Sequence, residues 1–177
     1  MSKVLAIDTS TSRSCVAIID GTEVLYSGFR DGATAHGPSL PALVQEALAV
    51  SDVDEVVVGM GPGPFTGLRV GIAFAQSFAL AREIPVRGVC SLDAIAAQVT
   101  DKDFIITVDA RRKEVYWARY TDGVRVGEPA VNFPADVTGA TIHADLFPNM
   151  VALVNLSGNI IEPMYLRRPD AVATADR

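Results

Sequence analysis

The stretch Gly59–Gly71, GMGPGPFTGLRVG, constrains this chain more than any other. Ahead of it, Glu55-Val56-Val57-Val58 is a short β-branched run that reads as a buried strand. Behind it, Leu68 to Arg82 has helical length and good helix formers, with Thr66 expected as the N-cap. Between them Gly61, Pro62, Gly63 and Pro64 enforce a rigid, irregular turn. A glycine-rich turn that opens a helix can hold an anion on free N–H groups. This one lacks the Lys-Ser/Thr pair of a Walker loop, and Thr66 stands where a dinucleotide fingerprint needs its third glycine. Pro62 and Pro64 remove two further donors. A shaped structural or docking turn is therefore the leading reading.

In the helix that follows, Gly67, Gly71, Ala75 and Ala79 fall four apart and share one face. Leu68, Val70, Ile72, Phe74, Phe78 and Leu80 make much of the rest apolar. A helix apolar nearly all round is either buried on every side or covered by a partner. The pattern leaves both open.

With 177 residues the chain can bury a proper core. Hydrophobic residues make up 49% and mean hydropathy is +0.28, yet no apolar run is long enough to span a bilayer. The excess apolar surface fits a protein partner. Met1-Ser2-Lys3 leads straight into a strand with no signal-peptide pattern, and Cys15 and Cys90 sit in separate apolar runs at no metal spacing. A reducing, cytoplasmic setting is expected. Net charge is −6, and the densest basic groups, Arg111-Arg112-Lys113 and Arg167-Arg168, are small. RNA binding by this chain unaided is not expected.

Along the chain, Val4–Ile7, Cys15–Ile19 and Glu23–Phe29 read as three strands, with Asp20-Gly21 a hairpin turn between the last two. Leu40, Leu43, Val44, Ala47 and Leu48 form one amphipathic helix face after His36, with Pro38 and Pro41 suited to its first turn. Pro85–Cys90 reads as a strand and Ser91 as the N-cap of a helix reaching Val99. Phe104–Val108 and Trp117–Tyr120 flank a turn whose Asp109, Arg111 and Glu114 suit acid/base work or, more simply, an ion-paired brace. Val131 to Asn159 shows no clear helical layer.

GPGPFTGLRVG closely resembles the signature of the TsaB (YeaZ) family of tRNA threonylcarbamoyladenosine biosynthesis. The segments at His36–Pro41, Gly88–Ala94, Asp109–Tyr116 and Pro163–Arg167 resemble further family motifs in the same order. The opening strands and their Asp8-Thr9-Ser10 turn resemble an actin-like ATPase lobe. The resemblance implies an α/β, actin-like (ribonuclease H-like) fold with two lobes, 1–88 and a shortened 89–177. It also implies a non-catalytic subunit that activates a TsaD-type catalytic paralogue and works with a TsaE-type ATPase. Contact with tRNA would come only through that complex. No cofactor is expected beyond ATP or ADP at a complex interface, and self-association in the partner's absence stays open.

The partner contact implied by the family involves His36, Leu40, Leu43, Val44 and Ala47 of one helix. From the other come Gly67, Leu68, Gly71, Ala75, Phe78 and Ala79. The signature loop itself comprises Gly61, Pro62, Gly63, Phe65, Thr66 and Arg69. In active members of the superfamily the first turn approaches nucleotide, a role that would fall to Asp8, Thr9 and Ser10. Catalytic relatives bind a metal through His-x-x-x-His. Here Leu40 follows His36 at that spacing, so no metal site is expected. The competing function is an autonomous actin-fold ATP hydrolase or small-molecule kinase.

Overall fold

In a computed structural model of the chain, residues 2–32 and 35–167 are described. Five strands build the first sheet: β1 (Lys3–Asp8), β2 (Arg13–Asp20), β3 (Glu23–Asp31), β4 (Glu55–Gly59) and β5 (Val86–Val89). Their order is β3-β2-β1-β4-β5, with the first three antiparallel and β4 and β5 running parallel to β1. Helix α1 (His36–Val50) carries the chain from β3 to β4, and α2 (Phe65–Arg82) carries it from β4 to β5. This is the lobe expected of an actin-like fold.

Both faces of the sheet are covered, which explains the nearly unbroken apolar runs of β1, β2 and β4. Leu5, Ile7, Val16, Ile18, Val56 and Val58 pack under α1 and α2. Their alternates Val4, Ala6, Ala17, Ile19 and Val57 meet Leu153 and Val154 on the opposite face. Each such Leu, Ile or Val side chain contributes about 1.5–3 kcal/mol on burial.

The second sheet holds β6 (Asp103–Asp109), β7 (Val115–Thr121), β8 (Val124–Asn132) and β9 (Thr141–His143) in the order β8-β7-β6-β9. Three antiparallel strands followed by one parallel to the first repeat the plan of the first lobe. Where the first lobe crosses over through α1, the second uses a single 3-10 turn at Pro134–Asp136. The shortening lies there. A short helix α3 (Ser91–Ala96) packs on this sheet through Leu92, Ile95 and Ala96. Helix α4 (Met150–Asn155), which falls in the stretch without an expected helical layer, returns to cover the first sheet. The expected division at 88/89 falls inside β5, whose Val89 still pairs with Gly59 in the first sheet, and α4 packs back from the second half onto that sheet.

Local signals misplace four positions. Helix α2 begins at Phe65 with Pro64 as its cap residue, so Thr66 lies inside it and makes no cap bond. Ser91 is the first residue of α3 rather than its cap, and the helix ends at Ala96 rather than Val99. Pro41 is inside α1 beyond the first turn, although Pro38 is within it.

Candidate functional site

The turn after β1 is the point on which the signature loop closes. Asp8, Thr9 and Ser10 are at most 1% exposed and Thr11 is 5%. Asp8 Oδ1 accepts from the Ser10 N–H at 2.8 Å and the Ser10 hydroxyl at 2.7 Å, while Oδ2 accepts from Ser91 Oγ at 2.6 Å. Burial pushes the Asp8 carboxyl above its usual range against the pull of those bonds. Ser91 Oγ also accepts from Gly61 N–H at 3.2 Å, and Thr9 Oγ1 donates to Gly67 O at 2.7 Å.

The signature glycines are there because the first turn occupies the space their side chains would need. A Cβ on Gly59 would stand 1.8 Å from Asp8 Oδ2, on Gly63 2.4 Å from Ser10 O, and on Gly71 2.3 Å from Thr9 Oγ1. On Gly67 it would stand 2.8 Å from Thr9 O. Real side chains never come this close, so the loop and the first turn of α2 fill the region in front of Asp8-Thr9-Ser10. As the chain stands, those three residues are buried beneath the loop. The nearby cleft lined by Thr11, Ser12, Pro64, Thr107, Asp109 and Arg111 holds only about 80 Å³, far below ligand-pocket size.

Further motif segments converge on the same place. Tyr165 packs on Phe65 with ring centres 4.7 Å apart, and the guanidinium of Arg69 lies 5.2 Å from the Phe65 ring. Arg167 donates to Ala110 O at 3.1 Å and pairs with Glu114. Asp109 Oδ1 takes the Arg111 N–H at 2.9 Å. Asp109 and Glu114 therefore brace the β6–β7 turn. Arg168 and the remaining tail lie outside the described residues.

His36 is 4% exposed and its Nδ1 lies 2.7 Å from Ser14 Oγ, itself 1% exposed. The pair fastens the start of α1 to β2 and is sealed from solvent. Burial holds the imidazole below its ordinary value, with the Asp8 carboxylate pulling it upward. The folded state thus takes up the ring's proton only below the unfolded pKa of about 6.5. Stability from the neutral ring is complete above that pH and is lost as pH falls through it. The unfolding midpoint should therefore drop between about pH 7 and pH 5, and the drop should shrink in His36→Gln. Equal drops in both proteins would refute this. Burial also pushes Cys15 and Cys90 up to about 12, leaving both as inert thiols at neutral pH.

Ten of the eleven residues expected at the partner contact are spent inside the chain. His36, Leu40, Leu43, Val44, Ala47, Gly67, Leu68, Gly71, Ala75 and Ala79 are all buried, and only Phe78 is partly open. That apolar spacing serves the chain's own sheet. The faces turned outward include Pro38, Ala42, Gln45 and Ala49 on α1 and Ala73, Gln76, Ser77 and Leu80 on α2, beside the exposed charges of Glu46, Arg69 and Arg82. Leu80 is 82% exposed. These eight small or uncharged positions are the ones that a search for hydrophobic periodicity passes over. Neither Ser91 nor Ser14 carries a local sign of its distant partner.

A family model described as TsaD, tRNA N6-adenosine threonylcarbamoyltransferase, matches residues 31–168. Escherichia coli TsaB, a tRNA threonylcarbamoyladenosine biosynthesis protein, is 38% identical over 67% of this chain and 54% of its own length. The chain belongs to the TsaB family. An uncharacterized protein of Mycobacterium tuberculosis is 46% identical over 97% of this chain and 94% of its own. Among solved structures, a Pseudomonas aeruginosa protein described as similar to peptidase YEAZ superposes with a TM-score of 0.79. It is 27% identical, with 94% of this chain and all of that one covered. The actin-like fold expected from the sequence is the fold found. This chain spans about half of the Escherichia coli TsaB, whereas it covers nearly all of the mycobacterial and Pseudomonas proteins. No helix among the described residues is long and apolar enough to cross a membrane.

Proposed function

We propose that this chain is the non-catalytic subunit of a tRNA threonylcarbamoyladenosine-forming assembly. In that assembly it holds and activates a TsaD-type catalytic subunit, and reaches tRNA only as part of it. The observation that carries this reading is the sealed Asp8 turn. The groups an actin-fold enzyme would turn toward its nucleotide here face Ser91 and the signature glycines instead. Uncharged strips on the outer faces of α1 and α2, bordered by Glu46, Arg69 and Arg82, supply the docking surface. A TsaE-type ATPase joins the same assembly, and ATP or ADP binds between subunits rather than on Asp8. The setting is cytoplasmic, where such an assembly meets tRNA.

The test mixes this chain with the TsaD-type protein of the same cell. Size exclusion and threonylcarbamoyl transfer to tRNA are then followed, with and without the chain. A shared peak and transfer that depends on the chain are expected. Separate peaks, or transfer that proceeds equally without it, would overturn the proposal. ATP turnover by the purified chain that vanishes in Asp8→Asn would favour the autonomous-enzyme reading instead.

A further inference from the structure

We infer that Arg69 on α2 is the residue by which this chain selects its protein partner, and that the helix docking there carries an aspartate or glutamate facing it. The inference rests on the docking surface proposed above and adds the charge chemistry of its counterpart. Thr66, Arg69, Ala73, Gln76 and Leu80 are all exposed and follow one another at intervals of three, four, three and four. That is the spacing at which one helix presents a seam to another, the two crossing at about 20°. On the neighbouring α1, Pro38, Ala42, Gln45 and Ala49 are exposed at intervals of four, three and four. Of these nine residues Arg69 is the charged one.

The described residues leave that charge unanswered. Eight other arginines among them each pair with a carboxylate of the chain. The remaining acidic and basic side chains of α1 and α2 belong to those pairs, Glu46 with Arg30 and Arg82 with Asp52. Arg69 meets the Phe65 ring, with its guanidinium carbon 5.2 Å from the ring centre, and no carboxylate among the described residues. Glu162, exposed in the segment that brings Tyr165 onto Phe65, forms no ion pair with it. The Phe65 and Tyr165 rings, with centres 4.7 Å apart, are the seat of the guanidinium. A cation ordered in this way loses less freedom when a partner arrives.

An arginine covered by a helix without a counter-charge is costly to desolvate, so a partner must bring a carboxylate, and a protein lacking one is rejected. The guanidinium fork takes both oxygens of one carboxylate and thereby fixes register as well as identity. A second copy of this chain would offer the same two strips, which hold no carboxylate. Arginine forks also fit phosphate, but nucleic-acid surfaces gather several cations, and here one cation stands on an aromatic seat beside small, uncharged residues. Aromatic rings and an arginine on an otherwise charge-poor strip are the composition of a protein interface centre.

The test titrates the TsaD-type subunit into the wild-type chain and into Arg69→Met and Arg69→Glu, followed by calorimetry. Arg69 is exposed and outside the core, so both variants should unfold at the wild-type midpoint. Arg69→Met, which keeps the apolar stem, should bind about 30-fold or more weakly, and Arg69→Glu about 100-fold or more. Aspartates and glutamates on exposed helices of the TsaD-type subunit are then changed singly to arginine. One such change should restore about tenfold or more of the affinity lost in Arg69→Glu while weakening binding to the wild-type chain. An Arg69→Glu chain that binds as tightly as wild type would overturn the inference and leave the functional reading standing. A wild-type chain with no affinity for the subunit would sink the functional reading and this inference with it. Lost binding that no carboxylate replacement restores would also overturn the inference. So would an Arg69→Met chain that keeps the complex but lowers its affinity for tRNA, which would assign the cation to phosphate.

Discussion

Gly59→Ala should lower folding stability by about 3 kcal/mol, the upper part of the range for overpacking a closed core. The added methyl would lie 1.8 Å from Asp8 Oδ2 and 2.5 Å from Ser91 Oγ. Neither atom can yield cheaply. Asp8 is held from three donors at 2.6–2.8 Å, and moving it leaves buried polar groups unpaired at a cost of about 1–3 kcal/mol for each neutral group and more for a charge. In a domain this size, about 3 kcal/mol corresponds to about 6–12 °C in the unfolding midpoint. Gly37→Ala is the matched control. A Cβ there meets nothing within 4 Å, and at the start of α1 alanine is the better helix former. Thermal and urea unfolding of the two variants decide the matter, and a loss below about 1 kcal/mol in Gly59→Ala would remove the proposed lock between signature loop and first turn.

That lock shows where sequence reading stops. The glycine stretch marks itself as a tight place between a strand and a helix, and so it is. The partner it is tight against is Asp8-Thr9-Ser10, half a sheet away along the chain and adjacent only because β4 pairs with β1 in parallel register. Local rules read Ser91 as a cap because Ser often caps the helix it precedes. Its hydroxyl is used 83 residues away on Asp8, a pairing that only the assembled sheet creates. The helix faces fail for a different reason. Periodicity reports that α1 and α2 each own an apolar face but not whether it turns toward the chain or away from it. The stripe of Gly67, Gly71, Ala75 and Ala79 admits a close neighbour in either case. The neighbour at Gly67 and Gly71 is Thr9 of the same chain. The strands of the first lobe were legible because β-branched runs bounded by turns leave few alternatives. The lone helix α4 was not legible, since six residues are too few for a period to show.

The second large effect follows from which face of α2 is free. Ala73→Trp combined with Leu80→Lys should abolish co-elution with a TsaD-type subunit while leaving the unfolding midpoint close to wild type. Ala73 is exposed and Leu80 is 82% exposed, so neither change disturbs the chain's own core. At a packed interface an indole would block helix approach, and a lysine buried there without a partner is costly. Together these should weaken binding by about 100-fold or more, about 2.7 kcal/mol or greater. Ala75→Trp is the wrong probe, because Ala75 is fully buried beneath α2 and an indole there would break the core first. Loss of the complex in that variant would report unfolding. Full co-elution of the Ala73→Trp, Leu80→Lys chain would instead mean that the partner sits elsewhere on the surface, and the uncharged strips on α1 and α2 would need another occupant.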